Sequence, residues 1–281
     1  MGTHQGTRLS EQAYLRFLRQ DSERLADVLA QAPSGARVPT CPGWDADDLL
    51  AHLLVVQSFW CRVVSDGLTT EAEVSQLTPA PRPDGRPELL AAFRQEAARL
   101  ADALEATPAQ AQRWSWSRDQ TAGFAARRQA HEACIHRLDA ELTAAPDGSH
   151  RSPIDAALAA DGIDEMLRVF MGYHPAWAVI RPEPGRTVRV VATDTGDTWL
   201  VTLARRAGTD PRGVEHDDPA IYVAGNDPVD GTVHPVGILS GSAEDLYCRL
   251  WRRPVLTEPL RAGDAVLVAE LEGVLDAVAP R

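Results

Sequence analysis

The sequence predicts an α+β protein with two domains, a helical N-terminal half and a mixed C-terminal half. Two observations support this. Apolar residues recur at helical spacing through the first half, whereas the second half contains β-rich segments on either side of a turn. A segment rich in Pro, Gly and Ser, residues 145–153, separates the two patterns. We therefore expect a four-helix bundle over residues 1–147 and a small α+β domain over residues 148–281.

Four helices account for the N-terminal half. The first covers about residues 10–32. The second follows Asp45, which is a natural N-cap with Asp48 at the capping-box distance. A proline-rich loop at residues 78–87 precedes the third helix, and the fourth covers residues 121–145.

The C-terminal half mixes helices and strands. Its clearest feature is a hairpin in which Asp194–Asp197 form the turn between two β-rich segments. The predicted elements, in order, are a helix at 155–170, strands at 187–193, 198–204 and 220–224, and helices at 243–251 and 265–278.

The composition excludes several functions. All 28 basic residues are arginine, so a phosphate loop with its lysine and a Schiff-base lysine are both impossible. The net charge of −12 argues against a nucleic-acid partner, because phosphate binding needs a basic face. The absence of lysine, together with abundant Ala, Gly and Pro, indicates a G+C-rich bacterial source.

The sequence also indicates a cytoplasmic protein without a membrane partner. There is no run of about 18 apolar residues, and the N-terminus lacks the apolar core of a signal peptide. The four cysteines are far apart and form no C-x-x-C motif, which is typical of reduced thiols in a cytosol.

Three residues form a candidate metal site. Glu132 and His136 are four residues apart on a predicted helix, so their side chains are neighbours and can bind one ion. His52 lies in the apolar stripe of another bundle helix. A His₂Glu set leaves one position open, as in catalytic zinc sites. The alternative is a hydrogen-bonded core histidine, and spacing alone leaves both interpretations open. His131 lies five residues before His136, so the H-E-x-x-x-H string is not a zinc-protease motif.

Several segments resemble the mycothiol-dependent maleylpyruvate isomerase family. Two segments match the family's N-terminal signature and two more match its second signature. A fifth segment matches the family's C-terminal pattern more loosely. The segments are Val38–Trp44 (VPTCPGW), Asp48–Leu53 (DLLAHL), Arg128–Glu132 (RQAHE), His136–Ala140 (HRLDA) and Gly241–Leu246 (GSAEDL).

This resemblance implies a fold and a cofactor. It implies a DinB-like four-helix bundle whose zinc ligands are His52, Glu132 and His136, followed by a sterol-carrier-like C-terminal domain. It also implies mycothiol as the thiol cosubstrate. Mycothiol is the thiol of actinobacteria, which agrees with the lysine-free composition.

The implied activity is the use of mycothiol as a zinc-bound thiolate on a small-molecule substrate. Addition to an activated cis double bond, rotation and elimination would isomerise a maleylpyruvate-like compound. Transfer to another small electrophile would make the protein a thiol S-transferase. The alternative is a non-catalytic protein that binds a small ligand, with zinc structural or absent.

Supporting roles are expected for a few neighbours of the ligands. Asp139 is placed to fix the ring of His136 through its other nitrogen, although a surface ion pair is an equal alternative. Arg128 or Arg82 would hold a substrate carboxylate, with a surface role favoured for Arg82. His131 borders the ligands and is expected to be a core histidine, and Cys41 a structural turn cysteine.

Overall fold

A computed structural model describes residues 9–33, 35–223 and 235–278. The described residues form two compact units, one at Leu9–Pro153 and one that begins at Ile154. The division into domains at 1–147 and 148–281 stays a prediction. Their residues 1–8, 34, 224–234 and 279–281 lie outside the described part.

The N-terminal unit is built from four long helices and one short helix. The long helices pack as a bundle in which α1 lies against α5 and α4, and α2 lies against α4 and α5. The helices are α1 (Glu11–Gln31), α2 (Ala46–Ser65), α3 (Glu71–Val74), α4 (Arg86–Ala106) and α5 (Ala122–Ala144).

Two details of this unit differ from the sequence expectation. The short α3 was not expected, and α4 begins at Arg86, inside the segment predicted as a loop. Pro87 lies in the first turn of α4, where its missing N–H would have no helical partner in any case. A proline-rich end of a loop can therefore be the start of a helix.

The core of the bundle explains the apolar character of α2. Leu49, Leu50 and Leu53 of α2 have no exposed surface and pack with leucines of α1 and α4. Among the described residues, α2 is the one helix long and apolar enough to cross a membrane, and 56% of that stretch is buried. Its apolar residues thus belong largely to the interior of the bundle.

The C-terminal unit combines helices with a sheet. It begins with α6 (Ala156–Asp164), which continues into a π-helical turn (Glu165–Phe170). The remaining elements are β1 (Val179–Ala192), β2 (Thr198–Thr209), β3 (Glu215–Val223), β4 (Gly237–Gly241), α7 (Ala243–Leu250), β5 (Leu260–Gly263) and α8 (Ala265–Val278).

The five strands form one mixed sheet in the order β3-β2-β1-β4-β5. Strands β1 to β3 form an antiparallel meander, whose first turn uses Gly196 at φ +80°. β4 runs parallel to β1, and β5 is antiparallel to β4. β4 and β5 were not expected from the sequence. The strand expected at 220–224 begins earlier, at Glu215, and Ala224 lies outside the described residues.

The predicted fold class is confirmed: a helical N-terminal region is followed by a five-stranded mixed sheet with helices.

Candidate metal centre

His52 reaches the site from α2. This helix begins at a capping box, in which the Asp45 carboxylate accepts the backbone N–H groups of Asp47 and Asp48. His52 lies seven residues after the cap, between the fully buried Leu49 and Leu53. Its own side chain keeps 31% of its surface exposed, so the site is open to solvent on the α2 side.

Glu132 and His136 reach the same point from α5, one helical turn apart. Glu132 Oε1 lies 3.1 Å from His52 Nε2 and 3.4 Å from His136 Nε2. One donor atom from each of the three residues lies within 4.8 Å of the other two. The structure therefore brings together the three side chains that the sequence predicts as ligands.

These distances fit a tetrahedral zinc ion. Two ligands that each lie about 2.0–2.1 Å from zinc are separated by roughly 3.4 Å at the tetrahedral angle. The two separations measured from Glu132 Oε1 are 3.1 and 3.4 Å. Two imidazole nitrogens and one carboxylate oxygen are also ligands that zinc accepts. The donor set fits the expected metal in chemistry, and the two separations measured from Glu132 Oε1 fit it in spacing.

Glu132 and His136, the two candidate ligands on α5, each have a further hydrogen-bond partner. Arg128 Nη2 donates to Glu132 Oε2 at 2.9 Å, so the other oxygen, Oε1, faces the two histidines. His136 Nδ1 lies 2.8 Å from Asp139 Oδ2, so Nε2 faces Glu132. Asp139 has no exposed surface. A hydrogen bond from the distal ring nitrogen to a carboxylate is the usual support of a metal-binding histidine.

The charges of the site are strongly coupled. Burial disfavours the charged form of Glu132, but hydrogen bonds with His136 and His52 outweigh it and hold the pKa well below its usual range. Burial also opposes the charged form of His136, yet its hydrogen bonds to Asp139 and Glu132 raise its pKa to about 9. In the metal-free protein His136 is therefore a cation between two carboxylates.

Trp44 forms an aromatic wall beside the two histidines of the site. Its ring centroid lies 4.8 Å from that of His52 and 6.4 Å from that of His136. The two histidine rings meet edge to face at 5.0 Å. The signals in the sequence are that Trp44 ends the signature segment Val38–Trp44 and stands next to Asp45, the cap of the helix that carries His52.

Three other predicted residues have partners that define their roles. His131 is fully buried and meets the ring of Tyr14 edge to face at 6.5 Å. Arg82 pairs with Asp48 at 2.8 Å at the surface. Arg128 is 3% exposed and pairs with Glu132, one of the three candidate ligands.

The model of a known protein family matches most of the N-terminal unit. Residues 9–141 match the model of the mycothiol maleylpyruvate isomerase N-terminal domain. No functionally curated protein matches the chain at a significant level.

Two solved structures are similar to the chain. A crystal structure of the mycothiol-dependent maleylpyruvate isomerase matches at 14% identity and a TM-score of 0.53, over 90% of this chain and 93% of that chain. A crystal structure of a variant of that isomerase matches at 15% identity and a TM-score of 0.48, over 86% and 88%. The first likeness shows a shared fold.

Proposed function

Because residues 9–141 belong to the mycothiol maleylpyruvate isomerase N-terminal domain family, we propose that the protein is a zinc-dependent enzyme that activates a low-molecular-weight thiol, mycothiol. The observation that carries this proposal is the meeting of His52, Glu132 and His136 at zinc-ligand spacing. The reaction is either cis–trans isomerisation of a maleylpyruvate-like substrate or transfer of the thiol to a small electrophile. A cytoplasmic location is part of the proposal.

The three ligands define what the site can do. A zinc ion held by His52, Glu132 and His136 would supply an open, Lewis-acidic position that favours a thiol in its thiolate form. Two neutral imidazoles and one carboxylate leave such a divalent site with a net positive charge, which attracts an anionic sulfur.

The surrounding residues orient the ligands. Arg128 holds one oxygen of Glu132 and neutralises part of its charge. Asp139 holds the Nδ1 hydrogen of His136, so the Nε2 lone pair is left for the ion. Trp44 covers one side of the histidine rings and reduces water access there, while the exposed side of His52 leaves a path for the thiol.

One nucleophile supports both reactions. A thiolate that adds to one carbon of an activated cis double bond converts it to a single bond, about which the adduct rotates. Elimination then returns the thiolate and gives the trans isomer, so nothing is consumed. When the electrophile carries a leaving group instead, that group departs with the bonding electrons and a thioether remains.

The ligand-binding alternative has less support in the described residues. The C-terminal unit contains an apolar cavity between its helices and sheet, lined mainly by leucines such as Leu167, Leu246 and Leu275. Its volume is about 10 Å³, which is the space of about one water molecule. A ligand of metabolite size would not fit this cavity unless the surrounding residues moved.

The first test is metal content. We expect one zinc per chain in the purified protein, and loss of most of it in His52→Ala, Glu132→Gln and His136→Ala, measured by mass spectrometry of the metal after dialysis. His150→Ala is the matched control, because His150 is an exposed histidine outside the site. Zinc that is absent from the wild type, or retained in His52→Ala, would refute the proposal.

The second test separates the two reactions. The zinc-loaded protein is incubated with mycothiol and maleylpyruvate, and the products are followed by chromatography. A trans product without net loss of thiol identifies the isomerase, whereas a stable thioether with an alternative electrophile identifies the transferase. Absence of both products and of thiol binding would favour the non-catalytic protein.

A further inference from the structure

The carboxylate of Asp139 is hydrogen-bonded to Thr40, Cys41 and His136. Its Oδ1 accepts a hydrogen bond from Thr40 Oγ1 at 2.5 Å. Its Oδ2 accepts one from Cys41 Sγ at 3.6 Å and lies 2.8 Å from His136 Nδ1. Because the carboxylate is fully buried, each of these donors offsets part of the cost of keeping it charged.

The loop before α2 supplies two of the donors. Backbone hydrogen bonds between Val38 and Trp44 and between Ala36 and Ala46 close this loop, and Gly43 turns it at φ +93°. Its middle residues, Thr40 and Cys41, are thereby placed on Asp139, about a hundred residues further along the chain. The loop that precedes α2, the helix of His52, thus also contacts Asp139, which is the hydrogen-bond partner of His136.

We propose that Thr40 and Cys41 are positioning residues for the metal ligand His136. They fix the carboxylate of Asp139 in the orientation that takes the Nδ1 hydrogen, and His136 then presents Nε2 beside Glu132 and His52. This inference rests on the proposed metal site and adds to it the residues that set the orientation of one ligand.

The same residues allow a different interpretation, in which Cys41 is itself a ligand. Donor atoms of Cys41, Asp139 and His136 also lie within 4.8 Å of one another. However, His136 Nδ1 and Asp139 Oδ2 are 2.8 Å apart, which is a hydrogen-bond length and shorter than the roughly 3.4 Å between two ligands of one zinc ion. The second oxygen of Asp139 is also occupied by Thr40. The geometry favours hydrogen bonding over coordination.

The main test compares Thr40→Val, which removes the hydroxyl at nearly constant volume, with Thr40→Ser, which keeps it. We expect Thr40→Val to weaken zinc binding by about tenfold or more, in the range seen when outer partners of metal ligands are lost. Thr40→Ser should stay within about twofold of the wild type. Zinc affinity is measured by competition with a chromophoric chelator. Equal affinities for Thr40→Val and the wild type would overturn the proposal.

A second measurement does not depend on metal. In the metal-free protein, the Nδ1 proton of His136 should give a downfield NMR resonance that exchanges slowly with water, because Asp139 holds it. We expect this resonance to move upfield or broaden in Thr40→Val and to persist in Thr40→Ser. An unchanged resonance in Thr40→Val would overturn the proposal. A wild type that binds no zinc would refute the metal site, and this resonance would still decide the role of Thr40.

Cobalt substitution tests the role of Cys41. With no thiol added, the cobalt-loaded wild type should show no thiolate-to-cobalt charge-transfer band, and Cys41→Ala should keep the same ligand-field spectrum with a weaker cobalt affinity. A charge-transfer band that disappears in Cys41→Ala would make Cys41 a ligand and overturn the proposal.

Discussion

His136 couples the protonation of the site to the stability of the metal-free protein. Its pKa is about 9 in the folded protein, against 6.5 for an ordinary histidine. Because the folded-state pKa is the higher one, the stabilisation is fully present below pH 6.5 and is lost as the pH rises through about 9. We expect the free energy of unfolding of the metal-free protein to fall by up to about 3 kcal/mol over that range, measured by urea denaturation with a chelator present.

Two histidine variants show whether His136 causes this slope. His136→Ala should flatten the pH dependence between pH 6.5 and 9, since the coupled cation is gone. His150→Ala should keep the wild-type slope, because His150 is exposed and lies outside the site. The same slope in His136→Ala and the wild type would assign the effect to other groups.

The sequence predicts the three candidate ligands of the site but not the contact between Thr40 and Asp139. The pairing of Glu132 with His136 follows from helical spacing, whereas the apolar stripe leaves His52 open as a ligand or a core histidine, and the family resemblance is what assigns it to the site. Neither pattern identifies the contact of Thr40 with Asp139, because it depends on how a loop lies over a helix 99 positions away. Local periodicity finds residues that share a helix face, whereas contacts between elements require the tertiary structure.

At the scale of elements, the start of α2 is fixed by its capping box. The Asp45 side chain accepts two backbone N–H groups, and the Asp48 side chain accepts the N–H of Asp45. We expect Asp45→Ala to lower the free energy of unfolding by about 1 kcal/mol, since the N–H groups of Asp47 and Asp48 lose their acceptor. Asp45→Ser should recover most of that loss. The measurement is urea denaturation followed by circular dichroism, and equal losses in both variants would contradict the capping role.

The sequence does not predict β4 and β5, and the physical reason is the same for both strands. β4 and β5 contain only five and four residues, end at glycines and carry no sustained alternation of apolar and polar residues. They are strands because β1 offers an edge, and β4 then offers an edge to β5. The hairpin of β1 and β2 was recognised because its turn chemistry is local. Its strands are longer than predicted, since pairing with β2 extends β1 to Val179 and pairing with β3 extends β2 to Thr209.

At the scale of the whole chain, the metal ligands belong to one compact unit. His52, Glu132 and His136 all lie within Leu9–Pro153, and the other unit has buried apolar residues of its own. A ligand that binds only folded protein stabilises the part whose folding forms the site, by about 4 kcal/mol at a thousand times its dissociation constant. Zinc should therefore raise the unfolding temperature of the N-terminal unit alone.

Zinc should stabilise the N-terminal unit, whereas a substitution at a glycine of the C-terminal unit should destabilise that unit. A Cβ at Gly162 of α6 would come within 2.3 Å of the buried ring of Tyr247 on α7, so Gly162→Ala should destabilise this unit by about 1–3 kcal/mol through overpacking. Gly273→Ala is the matched control, because that exposed helical position has no atom within 4 Å, and it should stabilise the same unit by up to about 1 kcal/mol.

In scanning calorimetry we expect two transitions, of which zinc raises one and Gly162→Ala lowers the other, while zinc content stays at the wild-type level. A single transition that moves with both perturbations would mean that the two units unfold together, and it would contradict the predicted division into two independently folding domains.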